Sequence, residues 1–196
     1  MHPSSGAITS GCKSRHPSRF FVDAAHFVYT VFLGYLWCFT RLFIKSPAGR
    51  KRFNVLGAIN AVTLEIITVT NETYINAESV CQLLRQLSQR SAGMPISLVW
   101  DNARYQKCAA VFELASELGI TLVYLPAYSP HLNLIERLRR FVRKECLYSK
   151  YYADFPSFKA AISTLIDTAD LNQKERLKSL MSWKFQSFTK VQFLSE

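Results

Sequence analysis

The spacing of apolar residues changes near residue 76, and this change limits the folds that the chain can adopt. Before that point, runs rich in β-branched and aromatic residues predict strands, because such side chains pack well on a pleated sheet. The predicted strands cover residues 20–28, 35–44, 53–62 and 64–70, and the last two form a hairpin. The first part of the chain is therefore expected to form a meander of strands.

Beyond Asn76 the apolar residues recur at helical spacing, and helical patterns then alternate with strand patterns. The predicted elements are a helix from residue 76 to a stop at 93–95, strands at 96–100 and 120–125, and helices near 106–118 and 155–169. Another helix follows Ser129 and Pro130, where Ser129 is expected to cap it and Pro130 to occupy its first turn. Strands that alternate with helices indicate a partly parallel sheet, so the chain is predicted to form an α/β fold with a mixed sheet flanked by helices.

The balance of charge narrows the class of partner. Lys and Arg total 24 against 14 Asp and Glu, which gives a formal charge of +10, and such an excess favours binding to a polyanion. Nucleic acid is the first candidate and an anionic membrane surface is the second. Two basic runs stand out, and each is interpreted equally well as a solvated face or as a phosphate-contacting face. They contain Arg41, Lys45, Arg50, Lys51 and Arg52 in the first run, and Arg137, Arg139, Arg140, Arg143, Lys144 and Lys150 in the second.

The composition is that of a folded intracellular domain. Hydrophobic residues make up 49% of the sequence, which excludes a disordered chain, and 196 residues suffice for one domain with a core. The five cysteines are widely spaced and odd in number, so we expect buried thiols in a reducing compartment instead of disulfides or a zinc site. Residues 1–19 lack the apolar segment of a signal peptide and are expected to be a tail or linker remnant. The apolar stretch 27–39 is too short to span a bilayer and is interpreted as sheet.

Two aspartates directly end hydrophobic strands. Asp23 follows residues 20–22, and Asp101 follows residues 96–100. Aspartate is poor strand material and costly to bury without a partner, so something must compensate for it. A single such aspartate is interpreted most simply as the start of a turn. Two of them, on strands that we expect to be neighbours, favour a ligand-binding edge, because polar ligand-binding residues gather at the carboxyl ends of strands.

Glu136 lies on the helix predicted after Pro130. By itself it is interpreted as structural, because it could form a capping pair with Asn133 or an ion pair with Arg140. Together with the two aspartates it would complete a set of three hard oxygen ligands that suits magnesium or manganese. Two such ions could activate a water or a 3′-hydroxyl and stabilise the leaving oxygen of an in-line phosphoryl transfer. The surrounding arginines would then hold the phosphate backbone.

Four segments of the chain resemble the bacterial insertion-sequence branch of the mariner-type transposases. They follow the family's order and are residues 21–27 (FVDAAHF), 49–58 (GRKRFNVLGA), 99–103 (VWDNA) and 125–136 (LPAYSPHLNLIE). The resemblance, which extends over residues 20–169, implies a ribonuclease H-like fold, a catalytic site of the DDE type, and cut-and-paste movement of a short DNA element into TA target sites. On motif position the catalytic, metal-binding acids are Asp23, Asp101 and Glu136, and the 34 residues between the last two match the spacing of this branch.

The resemblance also implies a cofactor and partners. The cofactor is Mg²⁺ or Mn²⁺, expected as two ions, and the partner is DNA in the form of transposon ends and the TA target. A homodimer assembled on DNA is expected, in the bacterial cytoplasm and in association with the nucleoid. His26 is expected either to support the site or to be an ordinary sheet histidine. The expected DNA contacts are Arg50, Lys51, Arg52, Asn102, Arg139, Arg140, Arg143 and Lys144.

The chain departs from the family pattern in three respects. Gln106 stands where many relatives have a histidine and Arg139 where they have an aromatic residue, which changes the expected contacts with DNA. The helix-turn-helix domains of a complete transposase do not appear before the catalytic domain, which is assigned to residues 20–170 with an extension at 171–196. We therefore expect a natural truncation, a second reading frame joined by frameshifting, or a decayed copy. Two other functions stay open: a non-catalytic DNA-binding remnant, and a ribonuclease H-like nuclease that acts on hybrids or junctions.

Overall fold

The fold is built on a five-stranded mixed sheet with β1 at its centre. A computed structural model of the chain describes residues 18–29, 39–40, 43, 51–91, 93–101, 103, 107–126 and 132–181. The strands are β1 (Ser18–Tyr29), β2 (Lys51–Asn60), β3 (Ile66–Asn71), β4 (Ile96–Trp100) and β5 (Ile120–Tyr124). The helices are α1 (Ala77–Arg90), α2 (Ala109–Glu117), α3 (Ile135–Cys146), α4 (Phe155–Asn172) and α5 (Lys174–Leu180).

The strands lie in the order β3-β2-β1-β4-β5. β1, β2 and β3 pair antiparallel, as a meander, whereas β4 pairs parallel with β1 and β5 pairs parallel with β4. The predicted α/β fold with a mixed sheet is therefore confirmed. β4 runs parallel to β1 and ends beside the middle of β1, and ligand sites gather beyond the carboxyl ends of strands in such folds.

Helices cover both faces of the sheet, so β1 is buried on both sides. Phe21 is 6% exposed and Val22 is 0% exposed, although neighbouring residues of a strand point to opposite faces. The face of Phe21 packs against α3, α4 and α5, and the face of Val22 packs against α1 and α2. Removal of these side chains from water is the main stabilising contribution, at roughly 25 cal/mol per Å² of apolar surface. Any polar group in the middle of β1 is held between two apolar layers.

The predicted ends of the first helices have local causes. The side chain of Asn76 accepts a hydrogen bond from the backbone nitrogen of Ser79 at 3.0 Å, which caps α1 at the predicted position. α2 gives way to β5 at Gly119, whose φ of 64° is readily adopted by glycine. The predicted strands 96–100 and 120–125 correspond to β4 and β5.

The start of α3 corrects one prediction. The helix begins at Ile135, with Leu134 in the cap position, and not after Ser129 and Pro130. Those two residues lie outside the described part of the chain. Asn133, which is 3% exposed, instead donates a hydrogen bond from Nδ2 to the backbone carbonyl of Val22 at 3.0 Å. This bond joins the residue two positions before α3 to β1.

The last helix belongs to the same core as α3. Leu177 of α5 is 0% exposed and lies in one apolar cluster with Phe141 of α3. Two polar contacts hold α5 in place: Arg176 pairs with Glu145 at 2.6 Å, and Arg137 donates to the carbonyl of Leu180 at 2.8 Å. The core therefore continues beyond residue 170.

Some predictions fall on residues that the structure does not describe. The strand predicted at 35–44 lies outside the described residues except for Phe39, Thr40 and Phe43, and none of these three is in a strand. Cys81, Cys108 and Cys146 are free thiols, whereas Cys12 and Cys38 lie outside the described residues. Within the described part of the chain, none of the helices has the length and apolar character needed to cross a membrane.

Candidate active site

The two predicted aspartates lie at the same level of the sheet. The parallel pairing of β1 with β4 sets Phe21 opposite Val99. Asp23 and Asp101 each lie two residues beyond this pair, at the edge where β4 ends beside the middle of β1. Asp23 is still inside β1 and half-buried, whereas Asp101 follows the end of β4 and is exposed. The sheet therefore brings together two carboxylates that are 78 residues apart in the sequence.

The third predicted acid, Glu136, reaches this edge because the start of α3 is fixed to the sheet at two points. Asn133 donates to the carbonyl of Val22, the residue before Asp23. Ile135 packs above Gly57, the β2 residue that pairs with Asp23. Glu136 follows Ile135 directly in the sequence, so its backbone lies near the central strand, β1.

The pKa of Asp23 depends on the charges of the other two acids. Burial raises the pKa of the Asp23 carboxyl from 3.8 to about 6. A hydrogen bond from the backbone nitrogen of Ala24, 2.7 Å from Oδ1, opposes this rise. The charges of Asp101 and Glu136 contribute smaller parts of the net rise to about 6, and the charge of Arg139 lowers the pKa. A cluster of this kind favours the arrival of positive charge.

An apolar crevice explains why Asp23 is poorly solvated. It opens beside the carboxyl, between β1, β2 and α3, and its volume of about 30 Å³ leaves room for little more than one water. Most of its walls are hydrocarbon, so that side offers the carboxylate few polar partners. The crevice is lined by Asp23, Ala25, Phe27, Val55, Gly57, Thr68, Ile135, Leu138, Arg139, Val142 and Ile166.

Arg139, a predicted DNA contact, forms an ion pair with Glu136. Its Nε lies 2.8 Å from Oε2 of Glu136, one turn earlier on α3, and its side chain is 37% exposed. Glu136 therefore pairs with Arg139, and neither predicted partner, Asn133 or Arg140, is its ion-pair or capping-box partner among the described contacts. Arg139 supplies positive charge to the cluster of acids.

The donor chemistry of the three acids fits a hard divalent cation, although their present positions do not form a closed set of ligands. Within the described residues, no group of three or more His, Cys, Asp or Glu side chains is arranged to hold a metal ion. In this arrangement one of the three carboxylates, that of Glu136, is paired with the guanidinium of Arg139. Burial chiefly raises the pKa of Asp23, and the negative charges of Asp101 and Glu136 add to the rise, so a bound metal ion would stabilise the ionised carboxylates.

His26 lies on the other face of the sheet from Asp23. Odd-numbered residues of β1 face α3, and even-numbered ones face α1. Asn54, 1% exposed, donates from Nδ2 to Asn71 and to the carbonyl of Thr73, so its Oδ1 is the acceptor for Nδ1 of His26 at 2.7 Å. A neutral His26 thus carries its proton on Nδ1. Its contacts are those of a sheet histidine.

The basic residues predicted to contact DNA form two separate groups. Lys51 and Arg52 start β2, and Lys51 is six residues from Gly57, the partner of Asp23. At roughly 3.3 Å per residue these two cations lie about 20 Å along the sheet from the acids. The second group, Arg140, Arg143 and Lys144, is exposed on α3. Arg50, Asn102 and Gln106 lie outside the described residues.

Comparison with known proteins decides the family. The family model of the DDE superfamily endonucleases matches residues 20–159, which includes Asp23, Asp101 and Glu136. The chain belongs to this family. The predicted DDE class is confirmed, and no curated protein matches the sequence.

Solved structures share the fold of this DDE domain. The Mos1 mariner paired-end complex with Mn matches with a TM-score of 0.57 and 15% identity, over 88% of this chain and 57% of the Mos1 chain. The Mos1 transposase catalytic domain with raltegravir and Mg matches with a TM-score of 0.54 and 15% identity, over 88% and 86%. The catalytic core of BIV integrase matches with a TM-score of 0.52 and 19% identity, over 81% and 86%. The ribonuclease H-like fold of transposase and integrase cores is therefore confirmed, and the chain spans less than two thirds of the Mos1 chain in the paired-end complex.

Two residues of the DDE domain that help to position the site were not predicted from the sequence. Asn133 was interpreted only as a capping partner, although an isolated asparagine between Leu132 and Leu134 is a signal for a buried polar contact. Gly57 lies among apolar residues in the buried part of β2, and a glycine inside a strand often marks the close approach of another element. Both residues set the position of α3 against β1.

Proposed function

We propose that this chain is the catalytic domain of a DNA transposase that cleaves and joins DNA strands with divalent metal ions. The observation that carries the proposal is that Asp23, in the middle of β1, and Asp101, just beyond the end of β4, lie at one level of the sheet, with Glu136 near enough for its charge to affect the pKa of Asp23, which burial chiefly raises. The match to the endonuclease family supports it. The catalytic domain is assigned to residues 20–170, with a tail or linker remnant at 1–19 and an extension at 171–196.

The metal is proposed to be Mg²⁺ or Mn²⁺, as two ions held by Asp23, Asp101 and Glu136. Mos1 structures that contain Mn or Mg support this choice. When bound, such ions would activate a water or a 3′-hydroxyl and stabilise the leaving oxygen of an in-line phosphoryl transfer. The half-buried Asp23 would be a fixed ligand in β1, and the exposed Asp101 would face incoming DNA. The apolar crevice beside Asp23 would keep competing water away from its carboxylate.

Glu136 is proposed to give up its contact with Arg139 when it binds a metal ion. The guanidinium and the metal compete for the same carboxylate, because Nε of Arg139 lies 2.8 Å from Oε2 of Glu136. Once released, Arg139 would stand at the site with a free positive charge. A DNA phosphate is the natural partner for it, since guanidinium groups bind phosphate oxygens in a bidentate manner. The role of Arg139 as a DNA contact thus belongs to the metal-bound state.

DNA is proposed to bind across both basic groups. The cations are Arg50, Lys51, Arg52, Arg139, Arg140, Arg143 and Lys144, with Asn102 as a further contact. The separation of about 20 Å between the start of β2 and the acids is several base pairs of duplex, at roughly 3.4 Å per base pair. We further propose that the DNA comprises transposon ends and a TA target, that a homodimer assembles on it, and that the setting is the nucleoid of a bacterial cell carrying an insertion sequence.

The test is cleavage of a short labelled duplex with a 3′-hydroxyl end, in magnesium or manganese, by the wild-type chain and by Asp101→Ala. Metal-dependent nicking or joining that disappears in Asp101→Ala is the expected result. Glu113→Ala is the matched control, because Glu113 is an exposed acid on α2 and lies on the opposite side of the sheet from α3. Its activity should equal that of the wild type.

One observation favours a second candidate, a DNA-binding remnant without catalysis. The ion pair of Glu136 with Arg139 satisfies an acid that a metal site needs. If the wild-type chain and Asp101→Ala both bind DNA in a salt-sensitive way and neither cuts it, the remnant is the correct assignment.

A further inference from the structure

Gly57 lies where the first residue of α3 packs closely on the sheet. In the antiparallel pairing of β1 with β2, Gly57 stands directly opposite Asp23. A Cβ atom built on Gly57 would lie 3.1 Å from Cδ1 of Ile135 and 3.8 Å from Cγ2 of Thr68. Carbon atoms in favourable contact are about 3.5–4.0 Å apart, so the first of these distances is too short. The first residue of α3 fills the space that a side chain at position 57 would need.

On the face of β2 that packs against α3, Gly57 lacks the large side chain that its neighbours have. Residues of β2 that face α3 alternate with residues that face α1, and the former include Phe53, Val55 and Ile59. These three carry large apolar side chains, all at most 4% exposed. Gly57 interrupts their row, and a glycine in a strand costs roughly 0.5–1 kcal/mol relative to alanine. Where a glycine is present in a strand despite this cost, we expect it to allow a contact that compensates for the cost.

The compensating contact is the packing of Ile135 against Gly57. Ile135 is 4% exposed and directly precedes Glu136 on α3. A helix axis that is pushed away at Ile135 carries Glu136 with it, because both residues belong to one rigid first turn. The depth of Ile135 above Gly57 therefore sets how far the Glu136 carboxylate lies from Asp23.

We propose that Gly57 is a positioning residue of the metal site: its missing side chain lets the first turn of α3 approach the sheet and brings Glu136 within reach of Asp23 and Asp101. This inference rests on the proposed function, since it assumes that these three acids bind metal. Gly57 itself touches neither the metal nor DNA. Its effect passes through Ile135.

The experiment measures Mn²⁺ affinity of the full chain without DNA, by titration calorimetry and by the paramagnetic signal of free Mn²⁺, alongside the free energy of unfolding. Gly57→Ala adds one carbon at the tight contact, and Gly57→Val adds three. We expect Gly57→Val to weaken Mn²⁺ binding by about tenfold or more, within the range seen when supports of metal ligands are removed, and Gly57→Ala to weaken it less. Shortening the opposing side chain in Gly57→Ala/Ile135→Val should restore the affinity.

Ala58→Val is the matched control. Ala58 is the next residue of β2, is 0% exposed and faces the α1 side of the sheet. Extra carbons there strain the core without touching α3, so stability should fall while Mn²⁺ affinity stays unchanged. The stability of each variant separates loss of folding from displacement of Glu136.

The results distinguish a positioning role of Gly57 from a packing role. If Gly57→Ala and Gly57→Val lose stability as Ala58→Val does but bind Mn²⁺ like the wild type, Gly57 is only a packing residue and the inference is overturned. If Gly57→Val does not fold, Gly57→Ala and its rescue by Ile135→Val carry the decision. If Mn²⁺ binds the wild type and Asp101→Ala equally, the metal site itself is wrong, and the role of Gly57 is rejected with it.

Discussion

The side-chain amide of Asn133 donates a hydrogen bond to the backbone carbonyl of Val22, with 3.0 Å between Nδ2 and the oxygen. Both groups are buried, and the two residues are 111 positions apart in the sequence. The bond joins the entrance of α3 to the residue before Asp23. It is thus a direct link between the elements that carry the first and third acids of the site.

Replacing Asn133 with Ala should destabilise the chain by about 1–3 kcal/mol, because the carbonyl of Val22 is left buried without this donor. Asn133→Asp keeps the shape but cannot donate when ionised, so it should cost at least as much. Urea unfolding measures both changes, and Asn172→Ala, at the exposed end of α4, is the control. A loss below about 0.5 kcal/mol for both variants, the range of ordinary surface substitutions, would show that the bond contributes little.

Asp23 should make the metal-free protein less stable as pH rises. Its pKa is 3.8 ordinarily and about 6 in the folded chain, so between these values the unfolded chain releases the proton while the folded chain keeps it. Fewer protons on the unfolded state mean that stability falls through this window, by up to roughly 3 kcal/mol, and the cost is fully present above pH 6.

Asp23→Asn is the variant that tests this pH dependence. The amide does not ionise, so the variant should be more stable than the wild type at pH 8 and close to it at pH 4. Denaturation at both pH values, with a chelator present, gives the two differences. Equal differences at pH 4 and pH 8 would contradict the raised pKa.

Arg139→Gln should tighten Mn²⁺ binding in the absence of DNA. The substitution removes the cation that pairs with Glu136, and a partly exposed pair of this kind is worth about 1 kcal/mol or less, or roughly up to fivefold in affinity. The same variant should bind DNA more weakly in the presence of metal, because it loses a phosphate contact. Arg143→Gln, an exposed charge farther along α3, should leave Mn²⁺ affinity nearly unchanged. Weaker Mn²⁺ binding by Arg139→Gln would rule out competition for Glu136.

Arg140→Ala and Lys144→Ala should each weaken DNA binding and lower its dependence on salt. Each phosphate contact that is lost reduces the slope of log affinity against log salt concentration by about one. Fluorescence anisotropy over a range of salt concentrations measures the slope. Arg85→Ala removes an equal charge from the exposed side of α1, across the sheet from α3, and should leave the slope unchanged. If the salt dependence of DNA binding has the same slope for all three variants as for the wild type, α3 does not contact the DNA phosphates.

The local patterns of the sequence were sufficient to predict most of the elements and two of the acids. Apolar periodicity predicted β1, the hairpin of β2 and β3, and the alternation from α1 to β5, because each depends on residues within a few positions of one another. Asp23 and Asp101 stood out for the same reason, as each directly follows a run of strand residues. The start of α3 was predicted wrongly, because Ser129 and Pro130 have the local chemistry of a helix start, whereas Asn133 is held by a partner on a distant strand.

The sequence by itself determined the fold class and the family, and it predicted the three acids, since motifs and periodicity are properties of neighbouring residues. Only the tertiary structure decided how the acids are arranged. It set Phe21 beside Val99, seated Ile135 on Gly57, and paired Glu136 with Arg139. Contacts between distant elements depend on strand order and on the depth of helix packing, which result from the whole core reaching close packing at once.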